Sequence, residues 1–190
     1  MGVGSVLLVV EIPSKLCAQN EKSIIKAAYI RNALNFAHWP KKTFPSQGSS
    51  FQLGIAGEAP ELEASLRLAF DKLNHRIQNR KVHLIKLGTP QAFSDLITKS
   101  GSRSCNALFL PSSENENFAK WLKAAGSQPV LLMSDDPEFI DQGGTFSLSP
   151  KDNTPNRYVY AIHVKKLRAR KIRFNAEFLR LRSAVKIISK

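Results

Sequence analysis

A three-layer α/β architecture is expected for this chain, with a mostly parallel sheet of five to six strands, helices on both faces and a last strand free to run antiparallel. Three observations carry that expectation. Strand-like and helix-like segments alternate along most of the 190 residues, the pattern of a parallel sheet joined by crossover helices. Two runs, Cys105 to Leu110 and Pro129 to Ser134, are apolar without alternation, as strands covered on both faces are. An opening helix, Lys26 to Pro40, carries two apolar faces, so it belongs against a sheet.

In that helix, Ile25, Ala28, Tyr29, Asn32 and Phe36 share one face, and Ile30, Ala33, Leu34 and Ala37 share another, by spacings of three and four. Pro40 stops the helix, because the residue before a proline leaves the α region, and Trp39 is left at a corner. Lys41 to Ser50 reads as a loop with Pro45 and Gly48. Phe51 to Gly57 alternates as a strand, and Pro60 opens a helix carrying Leu62, Leu66, Ala69, Phe70 and Leu73. Lys81 to Leu87 is a second strand, and Thr89-Pro90 caps a helix with Phe93, Leu96 and Ile97.

After the run at Cys105, Ser113 and Glu116 have capping-box spacing before a helix with Phe118, Ala119, Leu122 and Ala125, which Gly126 ends. The run ending at Ser134 leads to Asp135-Asp136-Pro137, a helix start, with Phe139-Ile140 as its apolar contact. Gly143-Gly144 supplies a tight turn into Thr145 to Ser149. Arg157 to Val164 alternates as an added strand with one face less buried. Lys165 to Lys171 is a basic helix or turn, Ile172 to Phe174 is extended, and Asn175 caps a last helix with Phe178, Leu179, Val185 and Ile188.

Length and a 43% hydrophobic content suit one domain, expected over residues 21–190. The apolar run Val3 to Val10, followed by Leu16-Cys17-Ala18, reads as a signal peptide over residues 1–18. No basic residue precedes that run, which a misassigned start codon would explain; the alternative is a buried first strand. Nothing later reaches the roughly 18 apolar residues of a membrane span, and no lipidation signal is complete. If cleavage follows Ala18, Cys105 stands alone, as a buried hydrophobe or a thiol for an intermolecular bond.

The charge is uneven. Of the net +13, the residues from Lys165 onward hold +9, with ten basic side chains against Glu177. Such a surface favours acidic partners of any class. Catalytic signatures are absent: no H-E-x-x-H, G-x-S-x-G, G-x-G-x-x-G or phosphate-loop pattern occurs. Ser23-x-x-Lys26 and Ser183-x-x-Lys186 match one serine-enzyme spacing without its companion motifs. His38, His75, His83 and His163 lack metal spacing. Asp135-Asp136 is best accounted for by helix capping. In the basic tail, Arg173 with the amides behind Asn175 makes an anion-friendly spot, suited to a carboxylate-bearing metabolite or an acidic loop. The competing account of that tail is a solvated helix face.

The opening helix also carries a family pattern. Lys26, Ala27, Ala28, Tyr29, Asn32, Phe36, Trp39 and Pro40 fall in register on K-A-A-Y-L-x-N-F-x-x-F-x-x-W-P, with Ala33 in place of an aromatic. Cys105 to Leu110 follows C-x-x-L-F-x, and Pro129 to Leu148 follows P-V-L-x-x-S-D-x-x-x-F-x-x-x-G-G-x-x-x-L through Ser134, Asp135, Phe139, Gly143 and Gly144. Tyr160 to His163 stands at an F-x-I-N segment, and Ile172 to Leu181 at an L-x-I-S-x-x-L-L-x-L ending. Through these blocks the chain resembles the YfiR family, periplasmic regulators of Gram-negative bacteria.

The resemblance implies a non-catalytic periplasmic regulator without cofactor. Its partner would be the periplasmic domain of an inner-membrane sensor or diguanylate cyclase, held inactive to limit cyclic di-GMP and biofilm formation. An outer-membrane lipoprotein that binds peptidoglycan would sequester the regulator, and a homodimer is a further expected contact. The motif residues Lys26, Ala28, Tyr29, Asn32, Phe36, Trp39, Pro40, Cys105, Asp135, Phe139, Gly143 and Gly144 are read as structural. The ligand or partner spot is Arg173, Asn175 and His163, the last standing where the family commonly has Asn. Three alternatives are a ligand-sensing module of another signalling system, a basic nucleic-acid-binding protein, and an enzyme using the carboxyl edge of the sheet. The tail has few aromatics and no helix-turn-helix signature, which disfavours nucleic acid.

Overall fold

The computed structural model describes residues 14–46, 48–151, 154 and 156–188, with side chains from residue 21 onward. The expected signal peptide therefore lies largely outside the described residues; 14–20 enter only as the first turns of a helix.

That helix, α1, spans Ser14–Phe36 and leads into β1, Ala37–His38. The first crossover unit is β2 (Phe51–Ala56), α2 (Pro60–Arg67) and β3 (Val82–Leu87). Next come α3 (Pro90–Ser100), β4 (Ala107–Leu110), α4 (Phe118–Ala125), β5 (Leu131–Ser134) and β6 (Phe146–Pro150). The C-terminal part holds β7 (Tyr158–His163), α5 (Val164–Ala169), β8 (Arg173–Phe174), α6 (Ala176–Leu179) and β9 (Val185–Ile188).

Seven strands form the main sheet in the order β3-β2-β4-β5-β6-β7-β9. The pairs from β3 to β6 are parallel, β6 and β7 are antiparallel, and β9 runs parallel to β7. A separate ribbon pairs β1 with β8 antiparallel, Ala37 opposite Phe174 and His38 opposite Arg173. The α/β class and the antiparallel last turn of the sheet are as expected. Seven strands exceed the five to six expected, and β9 is the unforeseen addition.

Alternation along each strand divides the core in two. Phe51, Leu53, Ile55, Phe109, Leu131, Met133 and Phe146 face α1 and α2. Leu108, Leu110 and Leu132 face α3 and α4, where Phe93, Phe118 and Trp121 are buried. Helix α1 places Ala27, Ile30, Ala33 and Leu34 in the core, and Ala37 of β1 follows them. The other expected apolar face, with Ile25, Ala28, Tyr29, Asn32 and Phe36, is only half-covered: Tyr29 packs on Tyr158 and Tyr160 with centroids 5.3 and 5.5 Å away, while Asn32 is exposed.

Three local expectations are corrected. Helix α1 stops at Phe36, not at Trp39, because the backbone of Ala37 and His38 is claimed by β8. The Ser113/Glu116 capping box does not form; Ser112–Asn117 is a 3-10 turn without a side-chain cap, and Glu114 accepts from Trp121 Nε1 at 2.9 Å. The last helix ends at Leu179, and Val185 to Ile188 is a strand. Its β-branched run fits a pleated edge beside β7 better than a helix.

Cys105 is fully buried, donates its thiol to Ala107 O at 3.1 Å, and is pushed up to about 12 by burial. An unfolded thiol ionises near its ordinary value, roughly 8.5. Above that pH the unfolded chain gains by losing a proton that the folded chain keeps, so this group lowers stability as pH rises toward 12. The native protein should leave Cys105 unreacted with a thiol reagent at pH 8, and unfolding should release a thiol that reacts within minutes. Fast native reaction would show that Cys105 is open to solvent.

Candidate functional site

The β1–β8 ribbon turns the end of α1 toward the C-terminal segment, and Trp39 fixes the corner. Its indole Nε1 donates to Asn106 O at 2.9 Å, and its ring meets the edge of Phe51 at 5.1 Å. Pro40 O accepts from Thr43 N at 2.9 Å, which turns the chain away. On the other side, Phe178 stacks on Phe36 at 5.1 Å and on Phe174 at 5.0 Å.

Between these walls lies a cavity of about 940 Å³. Trp39, Pro40, Ile162, Leu167, Ile172 and Phe174 give it an apolar body. Arg168, Lys171 and Arg173, with His38 beside them, form a basic rim, and all four are exposed. Lys171 sits in the left-handed region at φ 62°, the bend that turns the chain from α5 toward β8. An aromatic and aliphatic pocket rimmed by three exposed cations suits an acidic segment with an apolar anchor.

Of the three residues expected at a ligand or partner spot, only Arg173 lines this cavity. Asn175 Oδ1 accepts from Phe178 N at 2.8 Å, so its own side chain takes an amide offered there to an anion. His163 is 7% exposed and caps α5 through Nδ1, which accepts from Lys166 N at 3.5 Å. Arg168, Lys171, His38 and Trp39 carry no site signal in the sequence beyond the basic run, and nothing local announces their convergence around this cavity.

The structure also joins two motif blocks. Lys26 Nζ forms an ion pair with Asp135 Oδ2, while Asp135 Oδ1 accepts from Ser112 N at 2.7 Å. Capping thus falls to Asp136 alone, whose Oδ1 accepts from Glu138 N at 2.8 Å. Gly143 lies at φ 109°, and Gly144 abuts Phe139. Ala28 is half-buried on α1, and Asn32 Oδ1 accepts from neighbouring Arg31 at 3.2 Å. Among the described residues, no cluster of His, Cys, Asp and Glu could hold a metal ion, and no helix is long and apolar enough to cross a membrane.

Comparison with solved structures finds a conserved domain protein from Vibrio cholerae O1 biovar El Tor strain N16961, at 9% identity and a TM-score of 0.54. The alignment covers 87% of this chain and 60% of that one, and shows a shared fold. No curated protein matches the chain. A model of the YfiR/HmsC-like family matches residues 23–182, and that family is one of periplasmic regulators of diguanylate cyclase signalling. The match spans α1, with its Lys26 to Pro40 pattern, through α6, so the chain belongs to the YfiR/HmsC-like family.

Proposed function

We propose that this chain is a non-catalytic periplasmic regulatory protein that represses a membrane-bound sensor, such as a diguanylate cyclase, by binding its periplasmic domain. The observation that carries the reading is the cavity beside Trp39, apolar inside and basic at the rim. Family membership supports the regulatory role. An acidic loop of the sensor would place an apolar side chain against Trp39 and Leu167 and its carboxylates against Arg168, Lys171 and Arg173. Release would follow when a competing partner takes the same regulator.

The test is capture from a detergent-solubilised membrane fraction, with the purified chain as bait. A sensor with a periplasmic domain should be recovered, and the triple variant Arg168→Glu, Lys171→Glu, Arg173→Glu should bind it at least about tenfold more weakly, since like charges then face each other. All three side chains are exposed, so the variant should stay folded. Recovery of no membrane sensor, or unchanged affinity of the triple variant, overturns the reading.

A further inference from the structure

The sheet reverses its winding at β2: the chain passes from β2 to β3 on one side, then crosses back to β4 on the other. Open α/β sheets receive ligands in the crevice outside the carboxyl ends of strands at such a reversal. A second cavity, of about 550 Å³, opens there and is distinct from the one beside Trp39. Phe109 and Leu62 give it an apolar floor; Lys22, Ser23, Lys26, Glu61, Asp135 and Tyr158 supply its polar groups.

Tyr158 and Lys22 bring hydrogen-bond donors to this cavity. Asp135 is already engaged through both oxygens, by Lys26 and by Ser112 N. Tyr158 is 8% exposed, and the part left open lines this cavity. Burial raises its pKa, so the proton stays on the oxygen at neutral pH. Lys22 is exposed and meets no carboxylate among the described residues. At the start of α2, Ala59 has no side chain to cap the helix, and Glu63 N is the first amide bonded within it, so the Leu62 amide lacks an intrahelical acceptor. Glu61 stands exposed at the mouth, where water screens it.

The Tyr158 hydroxyl opens into this cavity, where a ligand oxygen could accept its hydrogen bond in place of solvent. We propose that this cavity binds a small carboxylate-bearing molecule with an apolar body, its carboxylate taken by the Tyr158 hydroxyl and the Lys22 ammonium, its body resting on Phe109 and Leu62. The site does not depend on the partner proposed above, and its occupancy is read without that partner.

Calorimetric titration of the purified full chain with benzoate, benzyl alcohol and inorganic phosphate tests it. Benzoate should saturate a single site, and benzyl alcohol and phosphate should each bind at least about tenfold more weakly, because one lacks the charge and the other the apolar body. Tyr158→Phe and Lys22→Gln should each weaken benzoate about tenfold, the effect of losing one charge-assisted hydrogen bond. Tyr158→Phe should also leave the melting temperature unchanged, since the hydroxyl faces the open cavity. Benzoate binding that ignores both substitutions, phosphate binding as tight as benzoate, or a fall in melting temperature for Tyr158→Phe each overturns the proposal.

Discussion

Gly144→Ala should destabilise the protein by about 3 kcal/mol or more, the upper end of what overpacking a filled core costs. A Cβ at this position would stand 2.6 Å from the carbonyl oxygen of Phe139 and collide with the Phe139 ring itself. Neither can retreat. The carbonyl accepts from Gly144 N at 2.8 Å, and the ring is fully buried edge-on to Phe118, with centroids 4.8 Å apart. Typical domains are stable by about 5–15 kcal/mol, so such a loss is a large share. Gly48→Ala is the control, since nothing lies within 4 Å of its added methyl. Denaturant titration should show a much lower midpoint for the first variant and an unchanged one for the second. Matching midpoints would mean that Phe139 is free to move.

The same glycine shows how sequence signals divided. Gly143-Gly144 was legible as a turn, because paired glycines relieve backbone sterics, but the reason for the second one is a ring five residues earlier. Helices α2 to α4 are legible because each buries a periodic face against one layer, and β4 and β5 because their unbroken apolar runs are buried on both faces. Strand β9 is not. Phe178, Leu179, Val185 and Ile188 also fall near helical spacing, and the deciding partner is β7, where Val185 lies opposite Tyr160. Pairing of that kind leaves no local trace, and neither does the two-residue ribbon that ends α1 before Trp39.

Sites divided on the same principle. The Lys26–Asp135 pair joins residues 109 apart in sequence, and each alone reads as an ordinary helix residue. Arg168, Lys171 and Arg173 were visible as charge, yet a charge run on a solvated helix and one rimming a cavity have the same sequence. What separates them is the apolar wall supplied by Trp39 and Pro40, more than a hundred residues earlier. In the sequence Tyr158 is one aromatic of an alternating strand, and only its place on the wall of the second cavity marks it out.

Phe178→Ala should cost about 3–5 kcal/mol, the range for removing a buried aromatic ring. Phe178 is 2% exposed and touches three other rings: Phe36 from α1, Tyr160 from β7 and Phe174 from β8, at centroid distances of 5.1, 5.1 and 5.0 Å. It therefore ties the opening helix, the main sheet and the ribbon together at one point, and Phe174 is also a wall of the basic cavity. Removing the ring leaves a void that these three elements cannot all close, because each is anchored elsewhere by its own backbone pairing. Phe178→Leu keeps most of the volume and should cost less than about 1.5 kcal/mol. Sensor capture should follow the same order, lost with alanine and kept with leucine, because the cavity wall depends on packing behind it. Equal stability of the two variants would show that the C-terminal segment packs without this ring, and that the cavity beside Trp39 is held by the ribbon alone.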